Sequence, residues 1–194
     1  MSSTARLNES WQLGSLRVPN RVLLAPLAGI GNWFVRLQAK RYGAGMAVSE
    51  MVSSHAIHYR NQRTCTEMLR IDPREREPGP PGAGGLQNPP APGGPVAIQL
   101  FGEDPAIMRE AAAHVVAAGA DAIDINMGCP VPKVRKTGAG AALLDAPDLA
   151  VEVARAAVEG GGGVPVTVKL RSGVRPGEDS GFHLARRLVA DAGV

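Results

Sequence analysis

One cysteine of this chain lies in a setting that suggests chemistry rather than packing. Cys129 lies between Gly128 and Pro130, a few residues after the mostly apolar run 122–125 and Asn126. A structural cysteine is normally a small buried hydrophobe within an element. The segment Asn-Met-Gly-Cys-Pro instead predicts a strand that ends in a tight turn. This turn would lift the thiol into a loop, where it faces whatever lies above the strand.

Other polar side chains occupy equivalent positions along the chain. Glu50, Gln99 and Lys169, like Asn126 and Cys129, fall at or just past the carboxyl ends of successive predicted strands. In a TIM barrel these ends converge on one site, whereas an open doubly wound sheet would spread several of them along an edge. Both architectures fit the pattern, and the convergence favours the barrel.

The elements that must position these residues alternate as strand and then helix. Buried parallel strands read as continuous apolar runs, and the chain has five runs of this kind: 22–25, 45–51, 96–101, 122–126 and 164–171. A short hairpin from Trp11, with its turn predicted at 18–20, precedes them. Helix starts are predicted at Asp104-Pro105 and at Asp145, because aspartate caps helix N-termini and proline suits the first turn.

The alternation predicts an α/β fold with a parallel sheet. Eight βα units need about 250 residues, and this chain has 194. We therefore expect a TIM (β/α)8 barrel truncated after about five βα units. Residues 73–95 interrupt the pattern. They consist mostly of proline and glycine and hold too little apolar surface to offset the entropy of ordering them, so the segment is predicted to be a flexible surface insertion.

Composition excludes several classes. Hydrophobic content of 44% and charged content of 20% are those of a soluble globular protein. No apolar run approaches the roughly 20 residues of a membrane span, and no secretory segment opens the chain. Cys65 and Cys129 are far apart and the four histidines lack metal-ligand spacing, so a cytoplasmic protein without disulfides or a metal is expected. A net charge of +3 permits RNA as a partner but does not require it.

These pieces together resemble the tRNA-dihydrouridine synthases, and within them the bacterial B-type branch. The most specific piece is Asn-Met-Gly-Cys-Pro with the downstream Thr-Gly-Ala-Gly-Ala. The matching segments are residues 25–29, 49–51, 99–102, 124–130 and 169–171. The resemblance implies that residues 1–194 are the N-terminal portion of an FMN-binding TIM-barrel catalytic domain. The remaining barrel and a helical tRNA-binding domain would then be absent from this sequence.

The resemblance also implies a role for individual residues. Cys129 would give a proton to C5 of the target uracil, and Asn126 would contact that base after it is flipped out of the tRNA. Reduced FMN would give a hydride to C6, and NADPH would reduce the flavin again. The residues implied to hold the flavin are Pro26, Leu27, Ala28, Gln99 and Lys169. Arg171 is assigned to the tRNA, with a loop carboxylate as its alternative partner.

The residue types suit this chemistry. Hydride addition at C6 leaves negative charge that a positioned acid must quench at C5. A thiol has a pKa of about 8.5 when unperturbed, so it is mostly protonated near neutral pH and can donate. A target base inside a folded tRNA must be extruded before it can reach a buried cofactor.

Two alternatives remain open. The chain is also compatible with another FMN-dependent TIM-barrel oxidoreductase that acts on a small molecule, similar to dihydroorotate dehydrogenase, or with a non-catalytic RNA-binding relative. The later βα units of a TIM barrel commonly hold the cofactor phosphate, so residues 1–194 alone are expected to be inactive and to bind FMN weakly. The sequence specifies neither the modified uridine, nor an oligomeric state, nor a protein partner.

Overall fold

The computed structural model describes residues 7–78 and 93–194 of the chain. The described chain opens with a hairpin from Trp11, in which β1 (Trp11–Leu13) and β2 (Leu16–Val18) pair antiparallel. The predicted turn at 18–20 is wrong, because Val18 is the last residue of β2. The turn of the hairpin is at Gly14, which has φ of +56°. The backbone there is in the left-handed region that glycine tolerates best.

Five parallel strands follow in the order in which they occur along the chain. Each strand pairs with its sequence neighbour, with no reversal of direction along the sheet. A doubly wound sheet would reverse its strand order at a switch point, so the continuous order is that of a barrel wall. The strands are β3 (Leu23–Leu24), β4 (Met46–Ser53), β5 (Val96–Phe101), β6 (Ala122–Asn126) and β7 (Val166–Lys169).

Helices connect the strands. Helix α3 begins where predicted, because the Asp104 carboxylate accepts a hydrogen bond from Ile107 N at 3.1 Å and Pro105 occupies the first turn. The α-helices are α1 (Trp33–Arg41), α2 (Ser54–His58), α3 (Pro105–Ala117), α4 (Pro132–Arg135), α5 (Pro147–Gly161) and α6 (Ser180–Arg187). The predicted cap at Asp145 is wrong: this residue ends the 3₁₀ helix Gly140–Leu144, and α5 starts two residues later.

The main hydrophobic core lies between the sheet and helices α3 and α5. Its fully buried members include Ile98 and Leu100 of β5, Ile123 and Ile125 of β6, and Met108 of α3. Each such side chain stabilises the fold by about 1.5–3 kcal/mol on burial. Alternate strand positions therefore face the helices, and the positions between them face the inside of the half-barrel.

A smaller core fills the inner face near the amino ends of the strands. There Met46, Val48, Ala97 and Ala122 pack together with Val18 of the hairpin. Because side chains alternate along a strand, the next inward positions of β5 and β6 are Gln99 and Asp124. The inner face is thus apolar near the hairpin and polar towards the carboxyl ends.

A second buried polar group, here called the ion cluster, consists of Arg36 and Lys40 of α1 together with Glu75. Arg36 Nε lies 2.8 Å from Glu75 Oε2, and both side chains are fully buried. Lys40 Nζ donates to Glu75 O at 2.9 Å and also to Gly94 O. The ion cluster therefore joins α1 to the chain on both sides of residues 79–92.

The ion cluster corrects one boundary. Residues 73–95 were predicted to form a flexible surface insertion, but Pro73–Glu75 is a 3₁₀ turn with a capping box, in which Asp72 accepts from Arg74 N and Glu75 accepts from Asp72 N. Glu75 is fully buried. Residues 79–92 of the predicted insertion lie outside the described residues. In the described ranges, no helix is long and apolar enough to cross a membrane.

Candidate active site at the carboxyl ends of the strands

The inner face of the half-barrel carries a chain of hydrogen-bonded polar side chains, here called the amide relay. It runs across three adjacent strands through Thr167, Asp124, Gln99 and Asn126. Asp124 accepts from Thr167 Oγ1 at 2.6 Å and from Gln99 Nε2 at 2.5 Å. Gln99 Oε1 accepts from Asn126 Nδ2 at 2.9 Å. The strand register explains this, because Gln99 pairs with Asp124 and Asp124 pairs with Thr167.

The amide relay ends at the loop that carries the predicted acid. Asn126 Oδ1 accepts hydrogen bonds from Gly128 N at 3.2 Å and Cys129 N at 2.9 Å. The Cys129 carbonyl in turn accepts from Ala141 N at 3.0 Å. The loop is therefore held from both sides, by a strand-end side chain and by the start of a 3₁₀ helix.

Gly140 allows this close approach. Its φ is +63°, and a Cβ placed on it would lie 2.8 Å from the Cys129 carbonyl oxygen and 2.9 Å from Val134 Cγ1. Only glycine fits without a shift of the Cys129 loop. Cys129 is half-buried and is a free thiol, as is Cys65. The structure thus places Cys129 in a fixed loop at the carboxyl end of β6, as the sequence predicts.

The corner that follows β3 is held in a different way. Glu50 Oε2 accepts a hydrogen bond from Gly29 N at 2.8 Å, and Glu50 N donates to Gly31 O at 3.2 Å. Glu50 lies at the register shift of β4 between Val48 and Met51. Such an irregularity changes the direction of the side chains at that point of the strand, and here the Glu50 carboxylate reaches Gly29. Glu50 therefore fixes the corner at 25–29.

The remaining predicted site residues also lie at this end of the sheet. Leu27 and Ala28 are exposed on the corner, with Pro26 half-buried beside them. Lys169 ends β7 and is exposed. Arg171 is exposed as well, and its stem packs at the Cys129 loop, because a Cβ on Gly128 would lie 3.2 Å from Arg171 Cγ.

Asp124 is a part of the site that the sequence analysis quoted within a motif without assigning it a role. Burial raises the pKa of the Asp124 carboxyl, while the hydrogen bonds from Thr167 and Gln99 and the charge of Lys169 oppose that rise. The available signal was its position two residues before Asn126, on the same face of the strand. In the described parts of the chain, no group of three or more His, Cys, Asp and Glu residues could hold a metal ion.

A parallel half-barrel with a polar inner layer and an anchored thiol loop defines a TIM-barrel protein whose site lies at the carboxyl ends of its strands. The family model described as "Dihydrouridine synthase (Dus)" matches residues 23–194. The chain belongs to this family, and the resemblance drawn from the motifs is confirmed.

Relatives support the same family. The "Probable tRNA-dihydrouridine synthase 1" of Synechocystis sp. is 41% identical over 186 residues, which cover 94% of this chain and 45% of that protein. The "tRNA-dihydrouridine synthase B" of Vibrio vulnificus is 36% identical over 183 residues, which cover 94% of this chain and 50% of that protein. The chain thus spans about half the length of the curated relatives it matches.

Solved structures confirm the fold. A variant of NCR from Zymomonas mobilis matches with a TM-score of 0.65 at 18% identity, covering 98% of this chain and 67% of that one. Morphinone reductase in complex with tetrahydroNAD matches with a TM-score of 0.57 at 18% identity, covering 97% and 71%. At this identity the likeness concerns the fold alone, and it confirms the predicted partial TIM barrel.

Proposed function

We propose that this chain is part of a cytoplasmic enzyme that reduces uridine to 5,6-dihydrouridine in tRNA with FMN and NADPH. The observation that carries the proposal is the Cys129 loop, which Asn126 and Gly140 fix at the carboxyl ends of the strands. Family membership and the names of the relatives support the reaction and the tRNA substrate.

The residues at the strand ends fit a flavin ring. The corner at Pro26, Leu27 and Ala28 is formed by small or apolar residues, and a Cβ on the adjoining Gly29 would meet no atom within 4 Å, so a flat ring has room to approach. Lys169 supplies a positive charge for a ring that is anionic when reduced. Gln99 retains one N–H and one lone pair beyond the amide relay, but it is fully buried, so it would meet the ring only after the side chains that cover it move.

When bound beside Gln99 and Lys169, FMN would supply the hydride for uracil C6, with NADPH as the source of that hydride. Cys129 donates its Sγ proton to C5, so the product gains one hydride and one proton across the C5–C6 bond. This role requires the thiol, whereas a nucleophile would require the thiolate. The backbone bonds of the loop hold Sγ in one place for that transfer.

Asn126 and Arg171 would bind the substrate. Both lone pairs of Asn126 Oδ1 are used by the loop, and one N–H of Nδ2 is used by Gln99. The second N–H faces Met51 Sδ at 3.7 Å, a weak partner that a uracil oxygen could replace. Arg171 would pair with a tRNA phosphate beside the loop.

Residues 1–194 would hold FMN weakly by themselves. In a complete TIM barrel the phosphate-binding loops usually follow the seventh and eighth barrel strands. The five barrel strands described here, β3 to β7, would supply only the residues that contact the flavin ring. A purified 1–194 chain that retained stoichiometric yellow flavin would contradict this expectation.

The test of function is the dihydrouridine content of tRNA. The open reading frame that encodes this chain is expressed in cells that lack the modification, as wild type, as Cys129→Ala and as Cys65→Ala. We expect dihydrouridine with wild type and Cys65→Ala, and its loss with Cys129→Ala. No dihydrouridine with wild type would overturn the function, and equal amounts with all three proteins would overturn the role of Cys129.

A further inference from the structure

We propose that Asp124 is a positioning residue that sets the direction of the whole amide relay and, through it, the backbone of the Cys129 loop. The hydrogen bonds of Asp124 go to Thr167 and Gln99. They reach neither Cys129, the predicted acid, nor Asn126, the predicted contact of the uracil. The inference rests on the proposed function only for the role of Cys129 as an acid. The orientation argument itself depends on the described contacts.

The first step is the contact between Asp124 and Gln99. Asp124 accepts a hydrogen bond on each of its two oxygens, as a carboxylate does, while a glutamine amide has one donating and one accepting end. Because Asp124 Oδ2 lies 2.5 Å from the amide of Gln99, this amide must turn Nε2 towards it. The other contact of Gln99, from its backbone N to Ser49 Oγ at 3.0 Å, fixes the strand and leaves the amide free to turn.

The second step passes this orientation to the loop. With Nε2 committed to Asp124, the Oε1 end of Gln99 faces Asn126 and accepts from Nδ2 at 2.9 Å. Asn126 must then turn Oδ1 towards the loop, where Gly128 N and Cys129 N donate to it. A reversed Asn126 would place its NH₂ group against two backbone N–H groups. Both backbone donors would then lack an acceptor, which is unfavourable for buried groups.

Thr167 gives the relay its second anchor. Its hydroxyl donates to Asp124 Oδ1 at 2.6 Å, but a hydroxyl can also accept. In Asp124→Asn, the new amide can donate to Thr167 Oγ1 and still accept from Gln99, so the direction of the relay is kept. When Thr167 is valine as well, no group remains to receive that donor, and the amide is free to turn its NH₂ towards Gln99. The direction of the relay is then no longer fixed at this end, and Asn126 holds the Cys129 loop less firmly.

The experiment is a double-mutant cycle read at the Cys129 thiol. Asp124→Asn, Thr167→Val and the double variant are made in the Cys65→Ala background of the full protein, so that Cys129 is the monitored thiol. The rate of alkylation by iodoacetamide is measured across pH, well below the unfolding temperature of each variant. Asp124→Asn/Thr167→Ser is the matched control, because serine keeps the accepting hydroxyl.

We expect the two single variants and the serine control to alkylate within about twofold of the parent. The double variant should alkylate roughly tenfold faster, the factor that corresponds to ~1.4 kcal/mol, because Asn126 no longer holds the backbone of the loop in one orientation. A residue with a merely structural role would lower the unfolding free energy additively and leave the alkylation rate of the folded protein unchanged.

Two results would overturn the proposal. One is a double-variant rate equal to the product of the single effects, and the other is a tenfold rise in Asp124→Asn alone. If the double variant does not fold, Asp124→Ala removes the group that orients Gln99; the same rise in the alkylation rate is then expected, and an unchanged rate would overturn the proposal. The alkylation rate is measured without tRNA. The proposal for Asp124 can therefore be overturned while the proposed reduction of uridine stands, and the proposed function can be overturned while the proposal for Asp124 stands.

Discussion

Two buried polar networks hold this half-barrel, and they use opposite chemistry. The ion cluster places full charges of both signs, Arg36 against Glu75, behind helix α1. The amide relay has a single carboxylate, Asp124, and otherwise transmits neutral hydrogen bonds along the inner face of the sheet. The ion cluster thus stabilises by charge attraction, which does not depend on which end of a side chain faces its partner. The amide relay instead fixes the orientation of each amide along it.

The difference follows from what each network must fix. A buried charge attracts any opposite partner and is very costly when left alone, so the ion cluster suits the joining of distant segments such as α1 and residues 75 and 94. Amides have distinct ends, so a row of them specifies which atom faces the next residue. The amide relay, which controls orientation, therefore lies beside the Cys129 thiol. The ion cluster, which joins distant segments, lies outside the candidate site.

The largest expected effect comes from breaking the ion cluster. Arg36→Ala leaves the Glu75 carboxylate buried without its partner, which costs about 3–5 kcal/mol of unfolding free energy. Chemical denaturation measures the loss. The matched control is Arg63→Ala, which removes an exposed arginine paired with Glu67 and should change stability little. Similar losses in the two variants would mean that the buried pair adds nothing beyond a surface pair.

A smaller effect is expected at the Cys129 loop. Gly140→Ala adds a Cβ at 2.8 Å from the Cys129 carbonyl at a φ of +63° and should cost about 1–3 kcal/mol, with a changed alkylation rate of Cys129. Gly162→Ala is the control, because Gly162 has φ of +59° but open space around its Cβ position. It carries the backbone cost alone. An unchanged Cys129 rate in Gly140→Ala would show that the loop does not depend on this contact.

A third effect is a change in the slope of stability against pH. Burial lowers the pKa of Lys40 from 10.5 to about 8, although the charges of Glu75 and Asp121 oppose the shift. Between these values the unfolded chain holds a proton that the folded protein has released, so stability should rise with pH across that window. Below pH 8 the cost of burying the charged ammonium is fully present.

Lys40→Met should flatten this rise, since methionine carries no titrating group. Unfolding free energies at about pH 8, 9 and 10, which lie within the shift, test it against Lys136→Met, which removes an exposed lysine. An equal slope in wild type and Lys40→Met would mean that Lys40 keeps its ordinary pKa in the fold.

The strand-end residues of the candidate site could be predicted from the sequence, but the buried ion cluster could not. Apolar runs located all five parallel strands, and the convergence of strand ends brought Gln99, Asn126, Cys129 and Lys169 to one edge. The ion cluster was missed because Arg36 and Glu75 are far apart in sequence, and because Glu75 lies at the start of a segment rich in proline and glycine. The composition of a segment gives only its average character, so it does not show that a single residue in it, Glu75, is buried.

Two finer details had a similar cause. Asp145 has the right type for a helix cap, but the preceding 3₁₀ helix uses that position, so tertiary structure overrode a local preference. Asp124 reads in the sequence as a polar interruption of a buried strand. Its role becomes visible only through Gln99 and Thr167 on the neighbouring strands, and a single sequence does not show that register.

The position of Lys40 between Glu75 O and Gly94 O has a consequence for the length of the chain. Arg76 and Gly93 are brought into contact, and a Cβ on Gly93 would collide with the Arg76 carbonyl. With both ends fixed at one place, doubling the length of chain between them costs only about 0.6 kcal/mol of closure free energy. This point on the outside of the barrel is therefore a natural site for insertions or deletions, which leave the sheet and its thiol undisturbed.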